Sequence, residues 1–184
     1  MFRISRELHC ALAGTEFELL KTLERRGQAP SFPRGSRNGF TPLATLGLAL
    51  FEAMAREWHV HRTYAAGICT AGAPLLVERW RDIRDTSETF DRDILFGRVL
   101  SSGPRILPAC GPLDEIARDH PGASSALLIS ASRVAATIRA RARRLDLDLE
   151  GFWAQPESTE GFWAEPPTSI SAPRRPPKPE NEQG

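Results

Sequence analysis

The stretch TPLATLGLALFEAMAREW, residues 41–58, limits the possible fold more than any other. Leu43, Leu46, Leu50, Met54 and Trp58 recur at the spacing of one helical face, and Gly47 leaves room for a close neighbour. Thr41 suits the N-cap, because its hydroxyl accepts from a first-turn amide, and Pro42 suits the first helical position, where no backbone donor is needed. A helix this apolar has to be covered, so the flanking sequence must supply the cover.

Upstream, residues 4–13 carry Ile4, Leu8, Ala11 and Leu12 at helical spacing, and Gly14 is a stop signal. Thr15 and Glu18 fit the capping box that opens a second helix. There Phe17, Leu19, Leu20 and Leu23 are apolar, whereas Glu18, Lys21, Thr22 and Arg25 follow at i, i+3, i+4 and i+7 as a polar ridge. Gly27 ends it. The chain from there to Phe40 is rich in Pro, Gly, Ser and Asn and holds Arg34 and Arg37, which reads as a basic loop or short hairpin.

Downstream, a helix is expected through Tyr64, Ala65 and Ile68 after a break at residues 59–61, loosened around residues 70–74, then resuming as LLVERWRDI to about Arg84. The middle changes character. RDILFGRVL, PRILPAC and SALLIS read as short strands, with a turn at residues 101–104 and a short helix in GPLDEIARDH. Residues 133–145 form a helix with Val134, Ile138, Ala142 and Leu145 facing inward. The expected fold is therefore mainly α with a small α/β part. A winged helix-turn-helix with a helical extension covers residues 1–84, a small α/β domain that dimerises covers 85–149, and a tail covers 150–184. The tail is rich in Pro, Glu, Ser and Thr and is expected to be disordered. GFWAQPE and GFWAEPP, near copies ten residues apart, interrupt that composition, and Phe152, Trp153, Phe162 and Trp163 are the anchors such docking peptides would use on a protein partner.

Residues 14–30, GTEFELLKTLERRGQAP, resemble the MerR-type winged helix regulators without a gap: a glycine turn, a recognition helix ending in Leu-basic-x-x-Glu-Arg-x-Gly, and a proline starting the wing. Phe40 and Thr41 match that family's aromatic and helix-capping pair, and residues 41–69 look like its second helical pair. The resemblance implies binding to double-stranded DNA, with Lys21 where the family places a phosphate-gripping arginine, Arg25 and Arg26 at the helix–wing junction, and Arg34 and Arg37 on the wing. Base reading would then fall to Thr15, Glu18 and Thr22 on the exposed helix face. Glu18 departs from the basic or polar residue usual there, and is assigned to the helix cap. The family's long dimerisation helix with its cysteine ligands has no counterpart here, so effector sensing is not implied.

Net charge is +1 over 184 residues, so attraction to nucleic acid must come from local clusters and not from a global field. Cys10, Cys69 and Cys110 are odd in number and lack a CxxC pair, which fits a reducing, cytoplasmic setting. Arg3, Arg6 and Glu7 interrupt any apolar run at the start, and the uncharged stretch at residues 63–77 is short of a membrane span. His59, His61 and Cys69 are irregularly spaced for zinc, and Ser130 and Ser132 follow a strand without a GxSxG elbow, so no metal, cofactor or enzymatic activity is expected. The expected function is a sequence-specific transcriptional regulator acting as a dimer, since one small module contacts too few base pairs. Two alternatives stand beside it: a phage-type nucleoprotein assembly factor for DNA packaging or excision, and a protein–protein adaptor whose helix-turn-helix no longer touches DNA.

Overall fold

The computed structural model describes residues 4–31, 39–89, 92–100, 106–147, 151 and 153. Among these residues the chain is mainly helical, with seven helices and one three-stranded antiparallel sheet. None of the helices is long and apolar enough to cross a membrane.

Helix α3 (Pro42–Glu57) lies at the centre. Every residue from Pro42 to Glu52 is buried, as is Met54, so the expected stripe has widened to the full circumference expected of a core helix. Thr41 caps it as anticipated, accepting from the Ala44 amide at 3.1 Å. Trp58, expected on the buried stripe, is instead 48% exposed, because it falls on the C-cap where the helical path has ended.

Helix α1 (Arg6–Ala13) starts at Ser5, whose hydroxyl accepts from the Leu8 amide, and stops at Gly14 in the left-handed region at φ 78°. Just before it, Ile4 pairs with Phe40 in an isolated antiparallel bridge that ties the chain start to the approach to α3. Helix α2 (Phe17–Arg25) follows the Gly14 turn. Its N-cap is Glu16, with no side-chain capping bond, so the expected Thr15–Glu18 capping box does not form. Thr15 turns inward and donates to Glu52 Oε1 at 3.0 Å, a charge-assisted bond inside the core that points its side chain away from the start of α2.

Helix α4 (Arg62–Glu78) runs unbroken through residues 70–74, where loosening was expected. Pro74 removes one ladder bond, but the surrounding turn is held by packing: Gly72 has no side chain, and the Phe96 ring occupies the space its Cβ would need. The chain instead breaks at Arg79, and α5 (Trp80–Thr89) begins there.

Strands β1 (Leu95–Leu100), β2 (Ile106–Gly111) and β3 (Ser125–Ser130) form a sheet in the order β2-β1-β3. Helix α6 (Leu113–Asp119) carries the chain from one edge to the other. The sheet has two covered faces. Phe96 joins the main core on one face and Arg98 lies over the Tyr64 ring of α4 at 4.3 Å, while Val99 and Ala109 pack with Ile116 of α6 on the other.

Helix α7 (Ala131–Arg144) begins two residues earlier than expected because the Ser130 hydroxyl caps it, accepting from the Arg133 amide at 3.0 Å. Its buried line is Ala131, Ala135, Ile138 and Ala142; Leu145, expected to face inward, is 47% exposed just past the helix end. This helix packs on α1, α3, α5 and β1. One buried cluster therefore runs from Ile4 to Ala142 and takes in Trp153, with a smaller one of Val99, Ala109 and Ile116 beside it.

Candidate nucleic-acid interface

Helix α2 separates its residues by face. Leu20 and Leu23 are buried against the core. Glu18, Arg25 and Arg26 are exposed, and Lys21 and Thr22 are half-buried on the same outward side. Lys21 Nζ reaches Glu18 Oε1 at 3.0 Å and lies 4.1 Å from the centre of the Phe17 ring, while Arg25 donates to the Thr22 hydroxyl at 3.3 Å. Pairs of this exposed, three-apart kind are worth only about 0.5 kcal/mol and open readily for a stronger anion. Glu24 turns the other way, to Arg6 at 3.2 Å.

Of the residues expected to meet DNA, then, Glu18, Lys21, Thr22, Arg25 and Arg26 share one accessible ridge. Thr15 does not join them: it is 9% exposed and committed to Glu52, so it cannot read a base edge. Glu18 is not a cap residue, as expected, but a solvent-facing carboxylate at the first turn, where the helix dipole favours a negative charge. Arg34 and Arg37 lie outside the described residues, as do Phe152, Phe162 and Trp163. Trp153, expected to anchor a partner, is 3% exposed and stacked on Trp80 of α5, because the chain's own core has taken up its ring.

Around the Gly14 turn stands a set of arginines that no local motif announces. Arg141 of α7 donates to the Leu12 carbonyl at 2.9 Å, and Arg56 of α3 donates to the Gly14 carbonyl at 3.1 Å. Both satisfy carbonyls left open at the end of α1, with positive charge at the negative pole of the helix. Glu52 is the counter-ion: its side chain is 4% exposed, with Arg62 at 3.1 Å on Oε1 and Arg56 at 3.0 Å on Oε2. Burial, and after it the charges of Arg56 and Arg144, push the Arg141 pKa below the usual arginine value. A cavity of about 160 Å³ opens here, lined by Gly14, Glu52, Arg56, Glu57, Thr137 and Arg141. Arg144, exposed on the last turn of α7, adds a further positive charge close enough to act on Arg141. Sequence reading could not assemble this set, because the Arg141–Leu12 contact spans 129 positions.

Other residue types that invite chemistry have structural partners. Ser130 caps α7 and donates to Asp93, while Ser132 is buried, accepting from the Ile94 amide at 3.0 Å and bonded to Thr86 at 2.8 Å. Cys69 is buried inside α4 with its thiol pKa pushed up by burial, whereas His59 and His61 are exposed between α3 and α4. Among the described residues no group of three or more His, Cys, Asp or Glu is placed to hold a metal ion. No protein-family model and no curated protein sequence matches the chain, so the likeness of residues 14–30 to the MerR-type pattern stands on those residues alone.

Proposed function

We propose that this protein binds double-stranded DNA in the cytoplasm as a sequence-specific transcriptional regulator, with α1 and α2 as a winged helix-turn-helix and α2 as the recognition helix. The observation that carries the reading is the outward ridge of α2, anchored from below by Leu20 and Leu23 and preceded by the Gly14 turn, where Arg56 and Arg141 hold the carbonyls at the end of α1. Lys21, Arg25 and Arg26 supply charge-assisted contacts to phosphate, which set affinity and register. Arg34 and Arg37 add wing contacts. Thr22 and Glu18 are the groups for base edges, and a carboxylate in the major groove selects the amine of cytosine. Two copies on a palindromic site supply the specificity that one module lacks.

Selection of bound sequences from a random DNA pool, followed by titration across salt concentrations, tests this reading. Lys21→Ala and Arg25→Ala each weaken binding to all sequences about equally and reduce the salt slope by about one unit. Glu18→Gln changes the preferred base without that loss of slope. Retained affinity in both Lys21→Ala and Arg25→Ala, or no binding at low salt by the native chain, overturns the assignment. The Glu18–Lys21 pair favours one second reading, an adaptor that no longer touches DNA, because it neutralises the ridge at its centre.

A further inference from the structure

The tetrapeptide Gly-Phe-Trp-Ala occurs at residues 151–154 and again at residues 161–164. From the first copy, the Trp153 indole lies nearly parallel to Trp80, with ring centroids 5.0 Å apart and planes at 17°. Arg139 of α7 supplies a second contact, its guanidinium carbon 5.3 Å from the Trp153 ring centre. That guanidinium also donates to the Arg84 carbonyl of α5 at 3.1 Å. The Trp153 indole thus sits in a slot to which α5 contributes an aromatic face and α7 a cation. Space around Gly151 is open, so nothing crowds the backbone that enters it.

We propose that this slot is a docking site for Gly-Phe-Trp-Ala peptides and that residues 161–164 are its second ligand within the same chain. Trp163 replaces Trp153, and the released copy presents a Phe-Trp pair to a protein partner. The two ligands are identical over four residues and differ only afterwards, in Gln-Pro-Glu against Glu-Pro-Pro. Chain length permits the exchange: five residues separate Leu147 from Trp153, and fifteen separate it from Trp163. Closure entropy grows with the logarithm of tether length, so a threefold longer tether lowers the local concentration only about fivefold. With equal contacts the second copy holds the slot in roughly one molecule in six. Capture of the first copy by a partner then leaves the core sealed by the second. The inference is independent of the DNA reading.

The full-length chain is compared as Trp153→Ala, Trp163→Ala and the double variant, by thermal unfolding at several protein concentrations. The expected result is strong non-additivity: each single variant melts within a few degrees of the native chain, and the double variant melts about 10 °C lower. Loss in Trp153→Ala equal to that of the double variant overturns the proposal. Rescue that rises with protein concentration overturns the same-chain arrangement, since the ligand then comes from a second copy. Should truncation prevent folding, Trp153→Phe and Trp153→Phe with Trp163→Phe keep an aromatic ring in place, and the circular-dichroism signal of coupled indoles at Trp80 is read instead. It keeps at least about one sixth of its native amplitude in the first, where Trp163 competes with the phenylalanine placed at position 153, and vanishes from the second; complete loss from both overturns the proposal.

Discussion

His9 illustrates how one buried side chain sets a pH response. Its ring is stacked on Phe40 with centroids 3.9 Å apart, and Nδ1 lies 2.9 Å from the Thr45 hydroxyl. That hydroxyl already donates its only proton to the Thr41 carbonyl at 3.0 Å, so it accepts from the imidazole, and neutral His9 carries its hydrogen on Nδ1. Burial, and after it the Arg6 charge, lowers the pKa from 6.5 to about 3. Above pH 6.5 both the folded and the unfolded chain are neutral at this position. As pH falls from there toward 3, the unfolded chain binds a proton that the folded chain refuses, so stability declines. The loss by pH 4 is on the order of 3 kcal/mol. Melting of the native chain at pH 7, 5.5 and 4 is expected to show this decline, and His9→Phe, which keeps the stack but cannot titrate, is expected to give a shallower profile over that window. Equal slopes would assign the pH response to other groups. None of this environment was legible in the sequence, where His9 is an unremarked residue of an amphipathic helix. Thr15 teaches the same lesson, because the partner that draws it from the helix cap, Glu52, stands 37 positions away.

At the scale of elements, local signals sufficed where they agreed with the packing. Thr41-Pro42 before an apolar run specified α3, and the β-branched and apolar runs at residues 95–100, 106–111 and 125–130 specified three strands. Local signals failed where packing outvoted them. Gly72 and Pro74 look like helix breakers, yet α4 continues because the missing Gly72 side chain admits the Phe96 ring. The polar ridge of α2 was legible from its spacing, whereas the arginines of α3 and α7 beside it were not, since only the fold brings them to the Gly14 turn. Gly97 is the tightest point of the sheet. It opposes Ala109 on β2 and Leu128 on β3, and a Cβ built on it would fall 1.9 Å from the Leu127 carbonyl oxygen. Backbone atoms cannot step aside as a side-chain end can, so Gly97→Ala has to part β1 from β3. A loss on the order of 3 kcal/mol is expected in urea unfolding, with faster amide exchange along β3. Gly122→Ala is the matched control, having nothing within 4 Å of its Cβ position. Native exchange rates on β3 in Gly97→Ala would refute the close approach.

Across the whole molecule, α7 joins the surfaces that the sequence assigned to separate units. Arg141 reaches the Gly14 turn, Arg139 two positions earlier holds the Trp153 ring, and Ile138 between them and the core is fully buried. A chain divided at residues 84 and 85 would unfold in two steps, its helical part apart from its mixed part. Because α7 packs at once on α1, α3, α5 and β1, neither part can bury its apolar surface after α7 leaves, and the chain is expected to unfold in one step. Ile138→Ala supplies the test, with an expected loss of about 3 kcal/mol from the cavity it leaves. Far-ultraviolet circular dichroism at the helix minimum follows the helices, and the circular-dichroism signal of the coupled indoles follows the Trp80–Trp153 stack. Both probes should give one coincident transition in the native chain, and both should shift equally in the variant. A shift confined to the indole signal would mean that α1 to α4 stand without α7. The basic turn and the aromatic slot would then belong to independent bodies, and no strain at one could be felt at the other.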